Sequence, residues 1–247
     1  MAAGGAAAVA AAVVTAALLA ASAGRAPSPL AVVAGALART SADSYSFSLD
    51  SVVRFRGRDM RSDVVSGGFD PRHGLGTERL AEQGPQGPVT AQIRFLGRYV
   101  YTWVSGSPAL GRPWDKALVP PVAADGIPPG YEVYGFVTDR PISPAELSGV
   151  LRSAGNVREA GSASGPGWTG TRYVFAVPFP GERQSLTATV ELDQQGRVRR
   201  LVTITTQGNV TTDRDLTFGD FGAPVPVTAP SAGQVTYTSR PYTGFLF

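Results

Sequence analysis

The chain has 247 residues, a formal net charge of +3, one histidine and no cysteine. These numbers exclude disulfides, thiol chemistry and cysteine metal sites, and one histidine leaves the usual zinc sites without their ligands. Lys116 is the one lysine among 22 basic residues, and the arginine cluster Arg54, Arg56, Arg58 and Arg61 is offset by Asp50, Asp59 and Asp63, so no unpaired basic face for nucleic acid is expected.

Met1 to Ala23 carry no charged side chain and are almost wholly Ala, Val, Leu and Gly. The apolar run Ala6 to Ala21 has the length of an export h-region and falls short of the roughly 20 residues of a comfortable membrane span. Ala21-Ser22-Ala23 has the small-x-small form that signal peptidases cut after. Leu19-Ala20-Ala21-Ser22 reads like a bacterial lipobox with a hydroxyl in place of the lipid-accepting thiol. Residues 1–23 are therefore expected to be a signal peptide or N-terminal anchor: soluble if cut, tethered if not. The n-region lacks Lys and Arg, and a buried Ala-rich helix is the alternative, although globular helices seldom run that long without a polar face. Residues 24–247 are long enough for one domain with a sizeable core.

Ser28 followed by Pro29 predicts a helix start, and Leu30, Val33 and Leu37 set a stripe on a short helix to Thr40. From Tyr45 to Phe55 the residues alternate with period two, which predicts a strand with one dry and one wet face. Met60–Phe69, Thr77–Glu82, Val89–Phe95 and Tyr99–Val104 continue the pattern with short turns between them, the signature of an antiparallel meander. From Ser105 to Pro129 the rhythm breaks, and a long loop is expected in which Trp114 either closes over a cavity mouth, touches a membrane or simply packs. Tyr131 to Asp139 alternates weakly. Ser143-Pro144-Ala145-Glu146 opens a second helix, which Gly155 ends. Ser162 to Gly170 is expected as a Gly/Ser-rich loop. Strands follow at Tyr173–Phe179, Leu186–Leu192, Val198–Thr206 and Asp213–Phe221, and then a Pro-rich tail. The count is about ten strands and two or three short helices.

The fold class that follows is mainly β (α+β): a large curled antiparallel sheet or half-open β-barrel, with short helices as lid or plug. Twist makes so wide a sheet curl, and its dry face must be covered. The interior is filled by its own side chains or left open for an apolar guest. The alternation places Phe47, Leu49, Phe55, Ile93, Phe95, Tyr101, Trp103, Val190, Val202, Ile204 and Phe218 inside, as candidate ligand-binding residues. The same residues would look identical in a filled core.

The order of these elements, with the closing phrase Leu216-Thr217-Phe218-Gly219-Asp220-Phe221-Gly222-Ala223-Pro224-Val225 and Thr228-Ala229-Pro230, resembles the actinobacterial LppX/LprAFG envelope lipoproteins and, more distantly, the LolA/LolB and RseB carriers and sensors. The resemblance spans most of the mature chain. It implies a half-open barrel whose cavity holds acyl chains of lipids or lipoproteins, in the periplasm or cell envelope or outside the cell. RseB-like proteins imply a second reading, an envelope sensor or assembly factor that binds a protein partner. The missing lipobox cysteine is a departure that bears on the anchor.

Enzyme chemistry finds little support. His73 sits in a Pro/Gly turn, the G-S-A-S-G run is centred on Ala163 rather than a nucleophile, and phosphate- or dinucleotide-binding glycine fingerprints are missing. No cofactor and no metal site is expected. The expected partners are a lipid or acylated ligand, with a membrane surface or an envelope protein as further candidates.

Overall fold

The computed structural model describes residues 26–85, 87–106, 113–118, 151, 154–178 and 184–237. The expected leader, the weak alternation at 131–139 and most of the second helix lie outside the described residues. The fold class is the expected one. Among the described residues twelve strands form a mainly antiparallel sheet that does not close, with one parallel pair of neighbours. The chain makes two compact units.

The first unit pairs a helix with four strands. Helix α1 (Pro29–Thr40) starts at Ser28, whose hydroxyl accepts from the Ala31 N–H at 3.3 Å, with Pro29 in the first turn. It ends where the Ser41 N–H and hydroxyl both donate to the Leu37 carbonyl, each at 2.9 Å. Its buried stripe is Val33, Ala36, Leu37 and Thr40, at i, i+3, i+4 and i+7. Leu30, expected on that stripe, is exposed.

The stripe packs on a sheet of order β10-β9-β8-β7, made of β7 (Gly155–Gly165), β8 (Trp168–Pro178), β9 (Gln184–Asp193) and β10 (Val198–Gln207). The facing row is set by register: Leu201 opposes Val190, which opposes Tyr173, while Phe175 opposes Ala188. All five are buried. Fully burying each Val or Leu there contributes about 1.5–3 kcal/mol, which is why a 12-residue helix of modest propensity holds its place. β7 corrects the expected loop at 162–170. It lacks apolar alternation because it is an edge strand, mostly exposed and broken by two register shifts.

The second unit has the order β12-β6-β5-β4-β3-β2-β1-β11. Its strands are β1 (Tyr45–Phe55), β2 (Arg58–Asp70), β3 (Leu75–Gly84), β4 (Gly87–Leu96), β5 (Tyr99–Val104), β6 (Trp114–Leu118), β11 (Val210–Gly219) and β12 (Val235–Tyr237). β6 falls in the expected long loop. Among the described residues this unit contains no α-helix.

The Pro-rich tail is ordered where it crosses the outer face of this sheet. The Gly222 N–H donates to the Ser44 carbonyl at 2.9 Å, and Val225 lies over Gly68. Arg94 Nη1 donates to the Thr228 carbonyl at 2.7 Å. The tail then reaches β6 from the same direction, which makes β12 parallel to it. Prolines suit such a crossing, since they offer no N–H that would need a partner.

Candidate functional site

The inner face of the second unit is the candidate site, and the register defines it. Phe218 opposes Phe47, and Leu216 opposes Leu49. Tyr45 opposes Phe69, which opposes Gly76, which opposes Phe95. Phe95 in turn opposes Val100, and Val100 opposes Ala117. An aromatic chain runs across this face. Tyr45 and Phe218 meet edge-on at 5.3 Å, Tyr45 and Phe69 lie 6.3 Å apart, and Phe69 and Phe95 meet edge-on at 5.9 Å. Such contacts fix ring orientation beyond what area alone does.

The face is not wholly apolar. Glu78 opposes Ile93 and is buried, while Asp115 opposes Thr102. Burial pushes the Asp115 carboxyl above the usual carboxylate range. At the far end, Arg61 pairs with Asp63 at 2.8 Å and Glu82 at 3.2 Å. The face therefore has an aromatic region and a charged end.

Five of the expected interior residues come together here: Phe47, Ile93, Phe95 and Phe218, all buried, and half-buried Leu49. The others lie elsewhere. Tyr101 and Trp103 oppose Arg94 and Gln92, so they lie on the outer face of the same strands. Phe55 lies at the end of β1 and is 43% exposed. Val190 is fully buried in the first unit, in the row under α1. Val202 and Ile204 oppose Thr189 and Thr187, on the other face from Val190, and Ile204 is exposed. Tyr45, Phe69, Leu80 and Leu216 belong to the site but were not among the expected residues; their signal is the pairing of strand parity across hairpins.

Trp114 is buried on the outer face, with the Arg94 guanidinium 4.5 Å from its ring centre. It packs there rather than closing a mouth. His73 is exposed and hydrogen-bonded to Asp70 at 2.7 Å, a contact that holds the Asp70 carboxyl below its ordinary range. Among the described residues no group of three or more histidines and acids could hold a metal. No helix of the described residues is long and apolar enough to cross a membrane.

The first unit carries a cleft of about 640 Å³. Val32 and Leu192 border it, and Ser162, Ser164, Thr169 and Tyr173 are among its lining residues. The Tyr173 phenol is pushed up by burial and then by the Glu159 charge. None of the expected ligand-binding residues lines this cleft.

No protein-family model matches the sequence, and no curated protein matches it. Solved structures are similar over most of the chain. LprF from Mycobacterium bovis is similar at 14% identity and a TM-score of 0.47, over 84% of this chain and 99% of that one. The Mycobacterium tuberculosis lipoprotein LppX is similar at 14% identity and a TM-score of 0.47, over 81% and 98%. MucB, solved in complex with MucA(peri), is similar at 15% identity and a TM-score of 0.35, over 82% of this chain and 57% of that one.

Proposed function

We propose that the chain is an exported, non-catalytic carrier or chaperone that shelters acyl chains of lipids or acylated proteins in the cell envelope, with residues 24–247 as the working domain. The observation that carries this reading is the inner face of the second unit. Its aromatic chain, Phe218 to Tyr45 to Phe69 to Phe95, lies in a unit with no α-helix among its described residues. Acyl chains suit such a face, because each buried CH₂ contributes about 0.8 kcal/mol without a polar anchor. The leader-like residues 1–23 support export. Titration of delipidated protein with a fluorescent fatty acid tests the reading. Saturable binding is expected, weakened by Ile93→Trp, which fills the face. A linear, unsaturable signal contradicts it.

A second reading is an envelope sensor or assembly factor that binds a protein partner. The observation in its favour is β7, an eleven-residue strand with one neighbour, β8, among the described strands. A strand edge can accept an extended peptide. Recovery of a stable protein complex with an unloaded carrier face would favour it.

A further inference from the structure

One end of the second unit's sheet carries exposed apolar side chains framed by arginines. The turn between β1 and β2 is Arg56-Gly57, with both residues at positive φ, 51° and 77°. This is the two-residue hairpin geometry in which Asn or Asp usually fills the first place. An arginine at this turn is held in an unfavourable backbone region. Its guanidinium lies 5.2 Å from the centre of the Phe55 ring. Beside this turn lies the start of β11, tied to it by the Arg56 N–H donating to the Asn209 carbonyl at 2.9 Å.

A row of side chains runs across the tip. Arg58 opposes Phe55, and Phe55 opposes Val210. Phe55, Val210 and the adjacent Met60 are 43%, 37% and 46% exposed. Met60 stands at the register shift between Val53 and Arg54, where β2 carries one residue more than its partner. Bulges at such positions re-aim side chains.

The charges at this end divide into two kinds. Arg54 is paired with Asp59 and Asp213, and Arg61 with Asp63 and Glu82. Arg56 and Arg58 make no ion pair among the described residues, and both are exposed. The tip thus combines an apolar wedge with two exposed arginines that stand outside the ion pairs of the described residues. A bilayer surface with anionic headgroups matches both features: the cations meet the headgroups and the apolar side chains enter the acyl boundary. A nucleic acid would use the arginines and leave Phe55, Met60 and Val210 in water.

We propose that the β1–β2 tip, with Phe55, Met60 and Val210 between Arg56 and Arg58, docks on anionic phospholipid bilayers. The proposal does not depend on what the inner face holds, because the tip lies beyond the aromatic chain and shares none of its residues.

The absence of cysteine makes a site-specific test direct. The full chain carrying Val210→Cys is labelled with an environment-sensitive fluorophore and mixed with vesicles of phosphatidylcholine alone or with phosphatidylglycerol added. A His73→Cys label in the turn that joins β2 to β3, at the other end of β2, serves as control, so that any insertion of residues 1–23 is not mistaken for docking. The expected result is a blue shift at position 210 with the anionic vesicles, reversed by high salt, and none at position 73. Arg56→Gln with Arg58→Gln removes two attractions, each worth roughly fivefold near an anionic surface, and weakens vesicle binding by about 25-fold. Phe55→Ser with Met60→Ser weakens it while leaving thermal unfolding near the wild-type temperature. Equal shifts at 210 and 73, no shift at 210, or a shift unchanged by the arginine substitutions would each overturn the proposal. A shift with duplex DNA but not with vesicles would also overturn it.

Discussion

The Thr40 hydroxyl is the hinge point between helix and sheet in the first unit: it donates to the Ala36 carbonyl at 2.9 Å and accepts from the Val198 N–H at 2.8 Å. Thr40 is fully buried, and so is Val198. One side-chain oxygen therefore closes the last turn of α1 and satisfies the first backbone donor of β10. Arg39 adds a second link, its Nε donating to the Gly196 carbonyl at 3.0 Å in the turn just before.

Thr40→Val keeps the shape and removes the hydroxyl. It leaves a buried N–H without its acceptor, which costs about 1–3 kcal/mol. Urea denaturation followed by circular dichroism should show the midpoint fall with an unchanged slope. A midpoint equal to wild type would mean that the link contributes nothing.

Asp193 predicts an acid-side loss of stability. Burial alone would push its carboxyl up, but the Arg197 N–H at 2.9 Å, the Arg197 guanidinium at 3.0 Å and Arg199 Nε at 3.0 Å outweigh burial and hold it below its ordinary range. The sign follows: a depressed folded value stabilises the protein above the unfolded value of about 3.9, and that stability is lost as pH falls through the lower folded value. Asp193→Asn should be less stable than wild type near neutrality, with the difference shrinking as pH drops below about 4. A difference constant with pH contradicts the assignment.

Gly170 is a position where only hydrogen fits. A Cβ there would collide with the Leu192 carbonyl oxygen of the neighbouring strand, a backbone atom that cannot swing away. Gly170→Ala should cost about 1–3 kcal/mol, in the range of overpacked cores, and should lower the melting temperature. Gly57→Ala, with open space around it, is strained only through its positive φ of 77°. It serves as the milder comparison.

Arg94 pins the tail. Arg94→Ala removes its hydrogen bond to the Thr228 carbonyl and its stacking on Trp114. Losing a charge-assisted hydrogen bond of about 1.5–3 kcal/mol should speed amide exchange at residues 223–234 by about tenfold or more, with little change in β1. Unaltered exchange there would show that Val225 and the β12 pairing hold the tail without it.

These positions also mark how far the sequence could be read. β1 and β5 run over the residues expected of them, Tyr45–Phe55 and Tyr99–Val104: alternation marks the first half of β1, and the Gly97-Arg98 turn marks the start of β5. β6 is five residues long in Pro- and Gly-rich surroundings, and β7 is an exposed edge, so neither carries the periodic signal. Parity within one strand is legible; matching it to the next strand is not, because the turn sets the register. Tyr101 and Trp103 were therefore expected beside Ile93 and Phe95 but lie on the outer face, where Arg94 holds the tail. On β10 the register shift between Val198 and Arg200 has the same consequence: Leu201 and Thr203 are buried, and Ile204 is not. Phe55 kept its parity, but its strand ended in solvent.

The central claim is that the face built on Phe47, Tyr45, Phe69, Phe95 and Phe218 shelters acyl chains. Native mass spectrometry of the protein purified from its own host tests it most directly. The expected spectrum shows a mass above that of the chain, released by organic solvent and identified as an acylated molecule, and regained when the stripped protein is mixed with lipid. A protein that is recovered bare and stays bare with added lipid would contradict the account.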